Sequence, residues 1–216
     1  MRTKRAKQIM EDMDHYIHHD RIFLNNPAVM QGMGLAPLVI AATTGRYAFM
    51  LLVAVALMLV PTRVICSLLY RRLTPPLMRV VGYCGVSASI YILVRLALNG
   101  MFGNDILELG IYLPLLVVDP LIVYRHGRVP EPVSKAVSKG LRITLGYGLI
   151  LMLTGMLREL FAAGTLFGVP VLGFVALPLL SSPAGGFILV GVLFAIWRSC
   201  CALYEKYIRT EASREV

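Results

Sequence analysis

Long apolar runs, set apart by short polar segments, dominate the chain. After the polar residues 1–24 comes an interrupted apolar stretch over 25–44, reading NNPAVMQGMGLAPLVIAATT. Further apolar runs cover 47–69, 77–98, 106–124, 140–157 and 184–203. Each approaches the roughly 20 residues that cross a bilayer core as a helix. The apolar residues are continuous rather than alternating, which argues against a closed β-barrel. The pattern predicts an all-α integral membrane fold with six transmembrane helices. Arg71 and Arg72 with Pro75-Pro76 mark one turn, and Asn99-Gly100 with Gly103-Asn104 mark the next. Residues 125–142 form a basic connector with Pro130 and Pro132. Residues 168–180 are too short to span and hold Pro170 and Pro178, so they read as a re-entrant stretch or a lead-in to the last crossing.

Two of these runs are broken. In the first, Gly32, Gly34 and Pro37 cluster near the middle. Proline removes a backbone donor and clashes with the preceding turn, and glycine loosens that turn further. The fourth, ELGIYLPLLVVDPLIVYR, is interrupted by Pro114 and Pro120, with Asp119 at mid-depth. GLAPL in the first run is echoed by VVDPL in the fourth, and each broken run is followed by two unbroken ones. Three crossings per half would set the second half the other way up, giving two inverted three-helix repeats. Freed backbone groups in a membrane must be satisfied by protein or line a cavity, so paired broken helices are expected places for a cofactor or ion site. A Pro-kinked packing helix is the plainer alternative.

Composition agrees with the pattern. Hydrophobic residues are 57% of the 216 and charged residues 15%, with a mean hydropathy of +0.73, where soluble domains carry about 25% charged residues. The net charge of +9 could suit nucleic acid. The basic residues, however, sit between the apolar runs, so the lipid bilayer is the expected partner and nucleic acid is not. Lys and Arg gather on one face: in the tail, at Arg71, Arg72 and Arg79, in the connector, and at Arg198, Lys206, Arg209 and Arg214. Arg46 and Arg158 fall on the other face. Positive residues favour the cytoplasm, so both termini are expected there. The organisation is then a cytoplasmic polar tail (1–24), a six-helix membrane domain (25–204) and a cytoplasmic basic tail (205–216). No apolar core with a cleavage site occurs near the start, so no removable signal peptide is expected.

Few residues carry candidate chemistry. Asp119 is the sharpest, since a carboxylate inside a membrane is costly and points to ion or proton handling. It equally suits an N-cap for a half-helix whose first residue is Pro120, and the two roles are compatible. Arg95 either partners an acid or snorkels to headgroups. Arg158 and Glu159 read as a pair, formed locally or at a subunit contact. His15 and His19 have an i, i+4 metal spacing, with His18, Asp12, Asp14 and Asp20 nearby. A solvated membrane-surface helix is the competing reading, and no metal is assigned there. Cys66, Cys84, Cys200 and Cys201 show no ligand-like spacing, and their role is open. Gly146/Gly148 and Gly185/Gly186/Gly191 offer close helix packing with a partner. No phosphate-binding loop, ligand cluster or nucleophile triad is encoded, and no catalytic residue is identified.

NNPAVMQGMGLAPL, LPLLVVDPLIVYR, LRELFAAGTLFG and SSPAGGFILVG, in that order, resemble the six-helix membrane subunits of Rnf electron-transport complexes and of the sodium-translocating NADH:quinone reductase. The likeness is to the E-type subunit of Rnf and the D-type subunit of the reductase, and runs from about Asn25 to about Trp197. It implies a bacterial cytoplasmic (inner) membrane location and pairing with a second six-helix subunit among other Rnf-like subunits. It also implies a shared 2Fe–2S cluster, held by one cysteine from each broken helix of each subunit. The two cysteine positions fall at Ala36 and Pro120, which cannot ligate iron. The resemblance thus implies an ion-translocating oxidoreductase complex in which this chain is a divergent subunit without cluster, hence no cofactor of its own. A stand-alone transporter of ions or small solutes using Asp119, and a purely structural partner, are the other roles it leaves.

Overall fold

The computed structural model describes residues 22–69, 76–123 and 132–214. His15, His18 and His19 with Asp12, Asp14 and Asp20, the Arg71/Arg72 turn, and connector residues 124–131 lie outside these. The first broken run opens with a short helix, α1 (Pro27–Gln31). Asn26 caps it, its Oδ1 accepting from the amides of Ala28 at 3.0 Å and Val29 at 3.5 Å. Pro27 stands at N1, and Gly32 ends the helix in the left-handed conformation (φ 65°). A π-helical turn, Pro37–Ala41, follows and closes with the Ala42 amide on the Pro37 carbonyl at 3.1 Å.

Two long helices come next, α2 (Gly45–Leu69) and α3 (Pro76–Phe102). The second broken run is a chain of short pieces: a 3₁₀ stretch Gly103–Leu109, α4 (Tyr112–Leu115), a 3₁₀ turn Leu116–Val118 and α5 (Pro120–Val123). Then α6 (Val133–Ala163) leads into a small antiparallel hairpin of β1 (Thr165–Leu166) and β2 (Val169–Pro170). A 3₁₀ turn, Pro178–Ser181, precedes the last helix, α7 (Pro183–Arg214).

Among the described residues the protein is thus mostly helical, with four helical stretches long and apolar enough to cross a membrane: Gly45–Leu69, Val80–Leu109, Val133–Ala163 and Pro183–Tyr207. The breaks expected at Gly32, Gly34, Pro37 and Pro114 all fall within the two interrupted runs. One expected turn is corrected. Asn99-Gly100 lies inside α3, and the chain turns only at Gly103, whose φ is 61°. Leaving the helix earlier would orphan backbone groups that an apolar surround cannot satisfy. The lead-in expected over 168–180 contains the second hairpin strand and most of the 3₁₀ turn.

Helices α2 and α6 form the centre, with 50% and 56% of their most apolar windows buried, against 22% in the windows of α3 and α7. Glycines on α6 let the two run close and antiparallel. A Cβ at Gly140 would touch Val60 and Arg63, one at Gly148 would overlap Leu52, and one at Gly155 would overlap Ala48 and the Thr44 carbonyl. This corrects the expectation that Gly146/Gly148 and Gly185/Gly186 serve an outside partner. Gly146 accepts from Asn26, and Cβ atoms at Gly185 and Gly186 would strike the Leu179 and Val39 carbonyls. Gly191 alone of that set faces open space.

Candidate functional site

The two broken runs meet against the centre of the bundle, where α4 packs on the π-helical turn. Helix α6 holds the first run at successive points. The Asn26 amide nitrogen, fully buried, donates to the Gly146 carbonyl at 2.7 Å and to the Ile22 carbonyl at 3.0 Å. The Tyr147 hydroxyl donates to the Gly34 carbonyl at 2.9 Å. Gly34 is obligatory here, because its φ is 70° and a Cβ would lie 2.5 Å from the Tyr147 ring.

Farther along α6, Arg158 and Glu159 act on the backbone and not on each other. Arg158, 1% exposed, donates to the carbonyls of Val39 (2.5 Å), Leu180 (2.6 Å), Ser182 (2.9 Å) and Ser181 (3.3 Å). Glu159 accepts from the amides of Gly45 (2.8 Å) and Gly168 (2.7 Å) and from the Thr165 hydroxyl (3.0 Å). The expected Arg158–Glu159 pair is therefore corrected: neighbours in a helix point apart and do not face each other. Each instead finds oriented backbone dipoles, the cation at the carbonyls of the π turn and the 3₁₀ turn, the anion at the first amide of α2.

Asp119 is 6% exposed, extended (ψ 136°), and accepts from the Leu121 amide at 2.8 Å. It is the N-cap of α5, with Pro120 at N1. Capping predicts a specific result. Asp119→Asn, an equally good cap, leaves the melting temperature of the purified protein unchanged, while Asp119→Ala costs about 1 kcal/mol. Equal losses in both variants would show that the charge and not the cap matters.

The remaining candidates separate. Arg95 is exposed and bonds the Tyr91 hydroxyl at 3.3 Å on its own helix. Arg46, at the start of α2, pairs instead with Asp105 of the 3₁₀ stretch. The prolines of GLAPL and VVDPL sit in unlike geometry. Ala36 before Pro37 is helical (φ −61°, ψ −52°), whereas Asp119 before Pro120 is extended. Ala36 is half-buried and Pro120 exposed, and neither bears a donor atom. Cys66 lies in α2, Cys84 in α3, and Cys200 and Cys201 in α7, none of them in a disulfide. No group of three His, Cys, Asp or Glu is gathered among the described residues. The residues present at the broken runs do not fit an iron–sulfur cluster.

Sequence reasoning missed Asn26, Tyr147 and the backbone roles of Arg158 and Glu159. The Asn26-Pro27 dipeptide carried a signal for the first, since an Asx residue before proline marks a helix start.

These features define a helical membrane protein built round two interrupted segments that meet on its central helix. Residues 15–194 match the family model described as Rnf-Nqr subunit, membrane protein, and the chain belongs to that family. It is 34% identical over 190 residues to the E-type subunit of the ion-translocating oxidoreductase complex of Thioalkalivibrio sulfidiphilus, covering 80% of this chain and 82% of that one. The E-type subunit of the proton-translocating ferredoxin:NAD(+) oxidoreductase complex of Clostridium ljungdahlii is 32% identical over 179 residues, 81% of this chain and 84% of that one. With the E-type subunit of the ion-translocating oxidoreductase complex of Shewanella loihica the identity is 35% over 148 residues, 68% of this chain but 63% of that one.

Proposed function

We propose that the chain is an integral membrane subunit of an Rnf-like, ion-translocating electron-transport complex, and that it scaffolds the complex without holding a cluster. The names of its relatives support the complex. The carrying observation for the scaffold is the site itself: Ala36 and Pro120 stand at the positions the family resemblance assigns to cluster cysteines. The first run is fastened by Tyr147 and Arg158, and the second closes on its own cap at Asp119. The chain has six crossings in two inverted repeats, with the first and fourth crossings broken. The order of elements supports this, since each interrupted run precedes two long helices. Both tails, 1–24 and 205–216, are cytoplasmic, and a paired six-helix subunit of the same kind is the nearest partner.

Mild-detergent purification from native membranes tests the reading. Flavin- and iron–sulfur-bearing subunits co-purify, and the purified chain alone contains iron well below stoichiometry. Recovery as an isolated monomer or homodimer overturns the complex, and stoichiometric iron and sulfide on the isolated chain overturn the scaffold. One observation favours a second reading as a small transporter: the Asp119 carboxylate is buried within an interrupted apolar run. That reading requires flux in liposomes by the chain alone, lost in Asp119→Asn although the cap is kept.

A further inference from the structure

The segment between α6 and α7 is irregular backbone, yet its surface is apolar. Among residues 160–197 none is charged and none is histidine. Val169, Val171, Phe174, Val175 and Leu179 are exposed, with Phe174 66% and Val169 62% exposed, while the Phe167 ring lies over Gly45. A water-exposed loop would carry polar side chains and leave its backbone to solvent. This one satisfies much of its backbone within the protein, the amides of residues 173–176 at its tip being the exception. The Gly164 carbonyl takes the amides of Val171 and Leu172, each at 2.9 Å, and the Phe161 carbonyl takes that of Leu177 at 2.9 Å. The Ser181 and Ser182 hydroxyls fold back on the carbonyls of Pro178 and Leu179, both at 2.7 Å. The buried charges add to these bonds: Arg158 takes the carbonyls of residues 180–182, and Glu159 takes the Gly168 amide and Thr165 hydroxyl.

Internal satisfaction of non-helical backbone is what an apolar surround demands, because hydrocarbon offers no partners. The loop also joins the ends of two membrane-length helices, and its exposed face continues onto the exposed Phe187 and Ile188 of α7. We infer that residues 164–182 are seated in the bilayer, in the leaflet where α6 ends, with lipid acyl chains against Val169–Pro170 and Phe174. Arg158 and Glu159 are positioning residues for this loop. They supply from inside the hydrogen bonds that water would otherwise give.

The test is fluorescence quenching on the full chain in vesicles of phosphatidylcholine and phosphatidylglycerol. Cys66, Cys84, Cys200 and Cys201 are replaced by serine or alanine, and a single labelled cysteine is placed by Val175→Cys, or by Val171→Cys should the first fold poorly. Ile188→Cys marks a lipid-facing position and Asn104→Cys a polar one. The loop label is expected to follow Ile188→Cys, quenched several-fold more by nitroxide-bearing lipid than Asn104→Cys and protected from aqueous iodide. Iodide access like that of Asn104→Cys overturns the assignment. Protection from both quenchers in the co-purified assembly also overturns it, in favour of a covering protein.

Discussion

Arg158→Ala is expected to be the most damaging single substitution in the chain. It removes one buried guanidinium from four backbone carbonyls at once, those of Val39, Leu180, Ser181 and Ser182. Single interhelical hydrogen bonds within membranes average only about 0.6 kcal/mol, because freed groups find other partners. Here the freed carbonyls belong to a π turn and a 3₁₀ turn that have few alternatives, and hydrogen bonds to a charged donor are worth about 1.5–3 kcal/mol. The loss is expected to reach roughly 3–4 kcal/mol once partial rearrangement is allowed. For a chain of this length that lowers the melting temperature by roughly 10 °C. Arg158→Lys should fall between, because a single ammonium cannot reproduce the fork that spans two separate turns. A melt of Arg158→Ala by detergent-phase size exclusion within about 2 °C of the parent, on the same scale, would sink the claim that this residue ties the first broken run to the loop before α7.

The effect on assembly follows from the same geometry. Val39 lies in the π turn of the first interrupted run, so releasing its carbonyl loosens that run. Arg158→Ala is therefore expected to reduce co-purification of partner subunits along with stability. Glu159→Gln should be milder, since a neutral amide oxygen still accepts from Gly45, Gly168 or Thr165, though without charge assistance.

The contrast between legible and hidden features has a physical basis. Long apolar runs announced α2, α3, α6 and α7, because each must satisfy its backbone internally and so runs on as helix. The interruption of the first run was legible as well, since Gly32 and Gly34 at positive φ and Pro37 at the start of the π turn act through their own backbone chemistry. Asp119 as a cap was legible from Asp-Pro alone. Which partners the other polar residues choose was not. Arg158 and Glu159 suggest a pair by charge, yet their divergence in a helix sends them to opposite kinds of backbone group. Gly148 and Gly186 looked ready for another chain. The close approaches they permit are instead to Leu52 and the Val39 carbonyl of this one. Tyr147 carried no mark in an apolar run, because its role depends on Gly34, which is 113 residues away in sequence.

That tyrosine and glycine make the second large prediction. Gly34→Ala meets two separate obstacles. The left-handed backbone at φ 70° costs an L-residue about 1–2 kcal/mol. The added methyl also lies 2.5 Å from the Tyr147 ring, and relieving that overlap in a packed interior costs about 1–3 kcal/mol more. Roughly 3 kcal/mol is expected in total, with a melting temperature lower by about 6–12 °C. The two contributions can be separated. Tyr147→Phe removes only the hydroxyl, and the Gly34 carbonyl still accepts from the Leu38 amide at 3.3 Å, so about 1 kcal/mol is expected. Tyr147→Leu combined with Gly34→Ala removes the overlap but not the backbone strain, so the double variant should lose less than the sum of its singles. Additive losses would show that Tyr147 and Gly34 do not bear on one another. If they couple, Tyr147 is one of the points at which α6 holds the interrupted first run, beside Gly146 and Arg158, and partner co-purification should fall in the same order as stability across the three variants.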